Sequence, residues 1–139
     1  MRLEVAFQGE LGAFSQEAIR QLLGSSAIPR PRQRWDEVFQ SVASGEVPAA
    51  VVPLENTLHG SVHDNYDLLL KHGFAIRGET QVRIVHNLIA PPGTRFKDIR
   101  TVYSHPVAIN QCLDFFAANP QVARHPFYDT AGSVKMIME

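Results

Sequence analysis

Residues 3–24 read LEVAFQGELGAFSQEAIRQLLG, in which a short apolar run passes through a glycine-containing turn into a segment with helical periodicity. Leu3 to Phe7 predicts a buried strand. Ser15 is a candidate N-cap, and the helix that follows has one apolar face and ends at Gly24. Because a strand followed by a helix is the repeating unit of parallel α/β sheets, this stretch predicts the fold class.

The alternation of strand and helix continues through the first half of the chain. Asp36 is predicted to cap a second helix. Ala49 to Leu54 predicts the next strand, and the helix after that strand ends at His72-Gly73. Arg30 to Arg34, the densest cluster of charge, is interrupted by a proline and is predicted to be a solvated loop.

A second α/β segment follows a stretch without clear periodicity. Residues 74–90 predict extended chain that crosses from one lobe to another, and Pro91-Pro92-Gly93 predicts a turn. Thr101 to Tyr103 and Val122 to Phe127 predict strands, and Pro106 suits the first position of a helix between them. The buried face of that single helix is predicted to contain Ala108, Ile109, Cys112, Leu113 and Phe116.

This order of elements predicts an α/β protein with two lobes and mostly parallel sheets. We assign residues 1–80 to the first lobe and residues 81–139 to the second. The helix that starts near Ala131 has no stop signal before Glu139, and the strand that it should lead to is missing. We therefore expect the chain to be the front portion of a longer domain, with its second lobe incomplete.

Composition excludes several classes of protein. The 139 residues are 45% hydrophobic and 19% charged, which suits a folded chain, and the net charge of −1 provides no basic field for nucleic acid or an acidic membrane. Cys112 is the single cysteine, so an intrachain disulfide and an all-cysteine zinc site are excluded. The N-terminal residues do not resemble a signal peptide, and no window approaches the roughly 20 apolar residues of a membrane span. We expect a soluble cytoplasmic protein.

Four polar clusters lie where a predicted strand passes into the next helix. They are residues 8–15, Glu55-Asn56-Thr57, Ser104-His105-Pro106 and Asp129-Thr130-Ala131-Gly132. Ligands bind at this edge of open α/β sheets, and each helix N-terminus has unpaired N–H groups and about half a positive charge. The clusters therefore predict a site for a small di-anion that needs few lysine or arginine side chains.

Each cluster also has a purely structural interpretation. Three hydroxyl residues could be plain N-caps, each stabilising a helix by about 1 kcal/mol: Ser15, Ser104 and Thr130. Asn56 is harder to explain in this way, because the carboxylate of Glu55 lies beside it. Gln111 follows Ser104 by about two helical turns and fits either a site residue or a surface glutamine.

The histidines raise the question of a metal site. His59 and His63 have the i, i+4 spacing that brings two imidazoles together on a helix. Gly60-Ser61 lies between them and disfavours a helix there, and no glutamate follows in the register of a zinc peptidase. We interpret both as solvated loop histidines.

Several sequence blocks match one family pattern in chain order. They are Phe7-Gln8-Gly9 with Gly12-Ala13-Phe14-Ser15, Val52 to Thr57 with Gly60-Ser61-Val62 and Asp67-Leu68-Leu69, Ser104-His105-Pro106 with Gln111-Cys112, and Asp129 to Ser133. With these blocks the chain resembles the catalytic domain of prephenate dehydratase over essentially its whole length. The patterns P-x-E-N-[ST]-x-x-G-x-V and S-H-P-x-x-x-x-Q-C are specific in combination.

The resemblance implies a two-lobed fold similar to type II periplasmic binding proteins, with the active site in the cleft between the lobes. It also implies a carbon–oxygen lyase that converts prephenate, a dicarboxylate, to phenylpyruvate, water and carbon dioxide in phenylalanine synthesis, without a metal or redox cofactor. The resemblance also points to a homodimer. Arogenate dehydratase, whose substrate differs by one amino group, and a non-catalytic binding module of the periplasmic type are the alternatives.

The resemblance also assigns roles to residues. Asn56, Ser104 and Gln111 are candidates for orienting the substrate and hydrogen bonding to it. The candidate contacts to the carboxylates are Ser15, Thr57, His105, Thr130, Ala131 and Gly132, and His105 is also expected to position its helix start. Glu55 is either an acid near the leaving hydroxyl, with a pKa raised by burial, or a structural carboxylate.

The chain departs from the family pattern in two ways. The family's Thr-Arg-Phe motif follows the block that matches Asp129 to Ser133, whereas Thr94-Arg95-Phe96 comes before Ser104. We interpret this match as a coincidence in a loop and assign no role to Thr94. The family's regulatory ACT-type domain has no counterpart in residues 1–139, and we expect these residues alone to be catalytically incomplete.

Overall fold

The computed structural model of the protein describes residues 2–57 and 60–139. The chain forms two compact units, the first ending at Ile84 and the second running from Val85 to Glu139. Each unit contains strands that pair in parallel, as the alternation of strands and helices predicts. No helix in these two ranges is long and apolar enough to cross a membrane.

The first unit is centred on β1 (Glu4–Gln8), the middle strand of a three-stranded parallel sheet. β2 (Ile28–Arg32) pairs with β1 along its whole length, and the short β3 (Ala49–Ala50) pairs on the other side. The prediction of a buried first strand is confirmed, because three consecutive residues have no solvent exposure: Val5, Ala6 and Phe7.

Three helices and one hairpin complete the first unit. They are α1 (Phe14–Leu23), α2 (Trp35–Ala43), the antiparallel pair β4 (Glu55–Asn56) and β5 (Gly60–Ser61), and α3 (His63–His72). The predicted ends of α1 and α3 are confirmed, since each helix stops at a glycine. Gly73 adopts the left-handed conformation, with φ of 64°, that glycine tolerates best after a helix.

The core of the first unit forms where α2 packs on the sheet. Val38 of α2 contacts Ala6 of β1 and Val47, and all three are buried. Partly buried hydrophobic residues surround them: Val42, Ala50 and Val52. This burial holds the carboxyl ends of β1 and β3 in fixed positions.

The second unit is built on a parallel pair, β6 (Thr101–Ser104) and β7 (Ala123–Pro126). A 3₁₀ turn at Phe96–Asp98 precedes β6. Three helices follow the strands: α4 (Pro106–Asn110), α5 (Leu113–Ala118) and α6 (Thr130–Met138). A buried cluster of Ile109, Phe116 and Val122 packs the helices against the strands.

Arg30 to Arg34 is not a loop, contrary to the sequence-based expectation, because its first residues belong to β2. β2 is an edge strand, so one side of its backbone needs no partner strand. The N–H of Ile28 donates to the carbonyl of Leu3, and alternate residues of a strand face the same neighbour. Pro29 and Pro31 therefore face away from β1, where a missing N–H costs no sheet hydrogen bond.

Two helix predictions are also wrong. Asp36 does not cap α2, because Arg34 is the N-cap and Glu37 Oε2 accepts hydrogen bonds from the N–H groups of Gln33 and Arg34, at 3.1 and 3.3 Å. The single helix predicted after Pro106 is two helices. The chain leaves helical conformation at Cys112, with φ of −117° and ψ of 27°, and Leu113 is 51% exposed rather than buried.

Other predictions about irregular segments agree with the structure. Residues 74–90 contain no helix or strand, and the boundary between the two units lies within this segment. The turn predicted at Pro91-Pro92-Gly93 is present. Ala49 to Leu54 pairs as a strand only at its first two residues, although the N–H of Val51 still donates to the carbonyl of Ala6.

Candidate functional site

The turn after β1 brings the chain into α1 through two glycines with positive φ. Gly9 (φ 112°) donates its N–H to the carbonyl of Arg32 at 2.9 Å, which ties the turn to the end of β2. Gly12 (φ 95°) donates its N–H to Oε1 of Gln16 at 2.6 Å. Only glycine adopts such conformations at little cost, so the spacing of the two glycines has a structural basis.

Ser15 is not the N-cap of α1, contrary to the cap interpretation. The N-cap is Ala13, which has no side chain to bond the helix start, and Ser15 is the second helical residue. Ser15 is half-buried and lies in the first turn of α1.

The cluster Glu55-Asn56-Thr57 forms the first arm of the hairpin between β4 and β5. Glu55 lies opposite Ser61, and Asn56 lies opposite Gly60. Asn56 is half-buried, and Thr57 is exposed in the turn. His59, one member of the histidine pair considered above, lies outside the described residues, and His63 is the first residue of α3.

The Glu55 carboxylate accepts hydrogen bonds from two hydroxyl groups. Tyr66 Oη donates to Oε1 at 2.6 Å, and Ser61 Oγ lies 3.0 and 3.1 Å from the two carboxylate oxygens. These hydrogen bonds lower the pKa of Glu55, and the bond from Tyr66 has the largest effect. The hydrogen bond between Tyr66 and Glu55 also raises the pKa of Tyr66. Glu55 is exposed, so the expected acid with a pKa raised by burial is wrong, and the structural carboxylate fits.

Asn65 stabilises the loop that leads into this hairpin. The sequence patterns did not predict this role. It has no solvent exposure, and its Nδ2 donates to the carbonyl of Pro53 at 2.8 Å. The N–H of Val62 donates to the carbonyl of Leu54, also at 2.8 Å. One feature of the sequence could have identified Asn65: it is a polar residue on the apolar face of a predicted helix, between Val62 and Leu69.

In the second unit, Ser104 and His105 lie at the carboxyl end of β6. Ser104 pairs with Pro126 in the sheet register, and its carbonyl accepts a hydrogen bond from the N–H of Phe127 at 2.8 Å. His105, rather than Ser104, is the N-cap of α4, because its Nδ1 accepts from the N–H of Val107 at 3.2 Å. The prediction that His105 positions its helix start is therefore confirmed, and the cap interpretation of Ser104 is wrong.

Asp129 caps α6 and makes Thr130 the first helical residue, so Thr130 is not the N-cap either. The Oδ2 atom of the buried Asp129 accepts from the N–H of Gly132 at 2.8 Å. Ser133 Oγ donates to the carbonyl of Thr130 at 2.6 Å. Since Asp129 holds the N–H of Gly132, the Thr130 hydroxyl and the N–H groups of Thr130 and Ala131 are the groups at this helix start that suit an anion.

Gly132 is packed closely under Tyr128. A Cβ atom on Gly132 would lie 2.8 Å from Tyr128 Oη and 3.4 Å from Asp129 Cβ. The absence of a side chain at this position is what allows the phenol to lie over the first turn of α6.

Gln111 stands between α4 and α5. Its side chain is half-buried, and its Oε1 lies 2.6 Å from Nε2 of His86. Gln111 is therefore not a free surface glutamine, which was the alternative interpretation. It also identifies His86, which the sequence patterns had not connected with the site.

In each unit, some of the predicted residues follow strands that are parallel neighbours. β6 and β7 are neighbouring parallel strands, so Ser104-His105 and Thr130–Gly132 leave the sheet at the same edge. β1 and β3 are also parallel neighbours, and the turn to Ser15 and the loop to Glu55 follow their carboxyl ends. The first unit also has a cavity of about 470 Å³, which is lined by Gln8 and by residues of the α2 start and of α3.

The Thr94-Arg95-Phe96 segment lies between the turn at Pro91-Pro92-Gly93 and β6. The N–H of Thr94 donates to the carbonyl of Pro91 at 3.1 Å, and Arg95 pairs with Asp98, so Thr94-Arg95-Phe96 lies in a local turn as predicted. Within residues 2–57 and 60–139, no three histidine, cysteine, aspartate or glutamate side chains are grouped as metal ligands.

Comparison with known proteins gives consistent matches. The family model for prephenate dehydratase matches residues 5–139. The chain is 40% identical over 136 residues to arogenate dehydratase/prephenate dehydratase 2, chloroplastic, of Arabidopsis thaliana, covering 98% of this chain and 35% of that protein. It is 37% identical to the bifunctional chorismate mutase/prephenate dehydratase of Stutzerimonas stutzeri, covering 97% of this chain and 37% of that one.

Solved structures match the fold. A protein described as GqqA, a novel type of quorum quenching acylases, matches with a TM-score of 0.84 and 33% identity, covering 96% of this chain and 48% of that one. The prephenate dehydratase of Arthrobacter aurescens in complex with L-Phe matches with a TM-score of 0.74 and 26% identity, covering 99% of this chain and 46% of that one.

The fold is the α/β, periplasmic-binding-protein-like fold with parallel sheets, as the sequence predicts. The chain belongs to the prephenate dehydratase family. It spans about a third of the length of the curated relatives and about half of the solved chains.

Proposed function

We propose that the protein containing this chain is a prephenate dehydratase, a hydro-lyase of L-phenylalanine biosynthesis. The observation that carries the proposal is the match of the family model to residues 5–139. The proposed substrate is prephenate, a small dicarboxylate, and the products are phenylpyruvate, water and carbon dioxide.

The reaction breaks two bonds and forms an aromatic ring. The C–O bond of the ring hydroxyl breaks, and the departing oxygen takes a proton and leaves as water. The bond to the ring carboxylate breaks at the opposite carbon, and its electron pair enters the ring as carbon dioxide leaves. Since aromatisation drives the reaction, the protein mainly has to hold the substrate and provide a donor at the departing oxygen.

The residues suit this division of tasks. Asn56, Ser104 and Gln111 carry amide or hydroxyl groups that can donate to the substrate without a charge of their own. Ser15 lies in the first turn of α1, and Thr130-Ala131 lies at the start of α6, where the helix dipole favours carboxylates. Thr57 and His105 lie next to these groups in the chain. In this proposal Glu55 shapes the hairpin and does not transfer a proton.

Arogenate is the alternative substrate, because several relatives at 40 to 42% identity are named arogenate dehydratases. Arogenate carries an amino group where prephenate carries a keto oxygen, and the bonds that break are the same. The ratio of kcat/KM for the two substrates in the full-length protein distinguishes these alternatives.

An acylase is a second candidate, supported by the TM-score of 0.84 to GqqA. An acyl-transfer enzyme of this kind needs an activated nucleophile or water. Burial raises the pKa of the Cys112 thiol, which disfavours the reactive thiolate, and Nδ1 of His105 is bonded to a backbone N–H. These features disfavour Cys112 as the nucleophile of an acylase.

Cellular location and assembly are part of the same proposal. We propose that the protein acts in the cytoplasm and forms a homodimer. The relatives from Arabidopsis thaliana are named chloroplastic, so fractionation of the source cells tests the location, and sedimentation of the full-length protein tests the dimer.

The direct test of function is an assay with the full-length protein. Incubation with prephenate should produce phenylpyruvate, followed by its absorbance in alkali. Formation of phenylpyruvate at the rate of a blank without protein would contradict the proposal. Binding of prephenate without turnover would support the non-catalytic binding module instead.

A further inference from the structure

The backbone at Gln111 is fixed on both sides, whereas its side chain leaves from a break between helices. Its N–H donates to the carbonyl of Val107 at 3.0 Å, which closes the last turn of α4. The N–H of Cys112 donates to the carbonyl of Ile109, also at 3.0 Å, and α5 begins one residue later. The Gln111 side chain therefore needs a partner outside the helices to hold it in one orientation.

His86 supplies that partner from a distant part of the sequence. Its Nε2 lies 2.6 Å from Oε1 of Gln111, although the two residues are separated by 25 positions. The neighbouring Asn87 donates its Nδ2 to the carbonyl of Val85 at 3.1 Å, which restrains the chain on both sides of the histidine. Both residues belong to the second unit, so the contact is internal to it.

The chemistry of the two groups fixes the direction of the hydrogen bond. A carboxamide oxygen can only accept, so Nε2 of His86 must carry the hydrogen. With the oxygen held in this way, the amide nitrogen of Gln111 keeps its two N–H groups for another acceptor. A reversed amide would present an oxygen in their place, and an oxygen would repel the electron-rich leaving hydroxyl.

We propose that His86 is a positioning residue, which holds the Gln111 amide so that its N–H groups face the substrate. The proposal rests on the proposed function, in which Gln111 donates a hydrogen bond to the substrate. His86 itself does not touch the substrate and transfers no proton. Its effect is to exclude the amide orientation that cannot donate.

The first test measures the contact without any assay of activity. In the ¹⁵N-labelled protein, long-range ¹H–¹⁵N correlation spectra at about pH 8 report which imidazole nitrogen carries the hydrogen. We expect the Nε2–H tautomer for His86 and a shifted Nε2 signal in Gln111→Leu. His125, which packs on the ring of Tyr103 at 5.4 Å, is the reference histidine and should not shift. A bare Nε2 on His86, or no shift in Gln111→Leu, would overturn the proposal.

The second test asks whether His86 acts through Gln111. In the full-length protein, His86→Leu should lower kcat at least about tenfold with less than about twofold change in KM, whereas His86→Gln, which keeps an N–H donor, should recover most of the rate. In the Gln111→Ala background, His86→Leu should cost little further rate. His125→Gln is the matched control and should keep the full rate.

The outcomes separate this proposal from the proposed function. If His86→Leu keeps its rate within about twofold, or if its loss multiplies fully with that of Gln111→Ala, the positioning role is overturned while the dehydratase activity stands. If the unmutated protein acts on neither prephenate nor arogenate, the proposed function falls and takes the catalytic role of His86 with it.

Discussion

The phenol oxygen of Tyr66 lies 2.6 Å from Oε1 of Glu55 and donates a hydrogen bond to it. This contact joins the first turn of α3 to the hairpin that presents Asn56. Asn65, the neighbour of Tyr66, bonds to the carbonyl of Pro53 in the same loop. The helix therefore positions the hairpin, and the carboxylate beside Asn56 is an anchor of that arrangement.

Tyr66→Phe should raise the pKa of Glu55 toward that of an ordinary glutamate, because the largest cause of its lowered pKa is the hydrogen bond from Tyr66. The titration of the Glu55 side-chain carboxyl carbon by NMR measures this change. Ser61→Ala is the matched control and should give a smaller rise, since Ser61 is the second cause. An unchanged pKa in Tyr66→Phe would show that this contact does not form in solution.

The same pKa shift predicts a loss of stability in acid. The pKa of Glu55 in the folded protein is lowered, so the unfolded chain binds more protons below the ordinary glutamate pKa of about 4.3. Its stabilising contribution is complete above that value and is lost as the pH falls through the folded-state pKa. Three other carboxylates are lowered by a neighbouring arginine and act in the same direction: Glu4, Glu17 and Asp36.

Urea denaturation at several pH values between about 6 and 3 measures this effect. The denaturation midpoint should fall with pH, and it should fall less in Tyr66→Phe than in the unmutated chain. Equal pH dependence of the two proteins would contradict the assignment to Glu55.

Asn65→Leu should destabilise the first unit by about 1 to 3 kcal/mol, the usual cost of leaving a buried polar group unpaired. Leucine keeps the volume of the side chain but removes the donor to the carbonyl of Pro53. Within the described residues, Oδ1 of Asn65 has no partner, so its removal offsets part of this cost and the loss should lie toward the lower end of the range. Unfolding in urea gives the value, and a change below about 0.5 kcal/mol would mean that Pro53 finds another donor.

Gly132→Ala should have an effect whose sign depends on Tyr128. With Tyr128 present, the new Cβ would lie 2.8 Å from Oη, so the exposed phenol must move and the helix is destabilised by up to about 1 kcal/mol. In a Tyr128→Ala background the obstacle is removed, and alanine should stabilise the helix by up to about 1 kcal/mol relative to glycine. Thermal unfolding of the four proteins tests this. Destabilisation by the same amount in both backgrounds would implicate the backbone and not the phenol.

The sequence predicts the parts of the fold that follow from hydrophobic periodicity. Val5, Ala6 and Phe7 form an uninterrupted apolar run, and the helices that end at Gly24 and Gly73 have one apolar face each. β2 escapes prediction because IPRPR has no apolar alternation and contains two prolines. Its place at the sheet edge, where prolines are tolerated, is a property of the assembled sheet.

In the candidate site, too, local sequence predicts some features, whereas others depend on the folded chain. The motif residues are visible in the sequence because they follow strand ends, but the caps are assigned to the wrong residues. Ser15 and Thr130 have suitable side chains, yet the backbone enters the helices at Ala13 and Asp129. The contact of His86 with Gln111 joins positions far apart in the chain, which no local pattern specifies.

The rate of phenylpyruvate formation by the full-length protein tests the central claim most directly, namely that Asn56 and Gln111 act on a cyclic dicarboxylate. Asn56→Ala and Gln111→Ala should each lower kcat/KM for prephenate at least about tenfold, which corresponds to about 1.4 kcal/mol of transition-state stabilisation. Asn110→Ala, an exposed neighbour on α4, should keep its rate within about twofold. Full activity in Asn56→Ala and Gln111→Ala would remove both residues from the site and contradict the account.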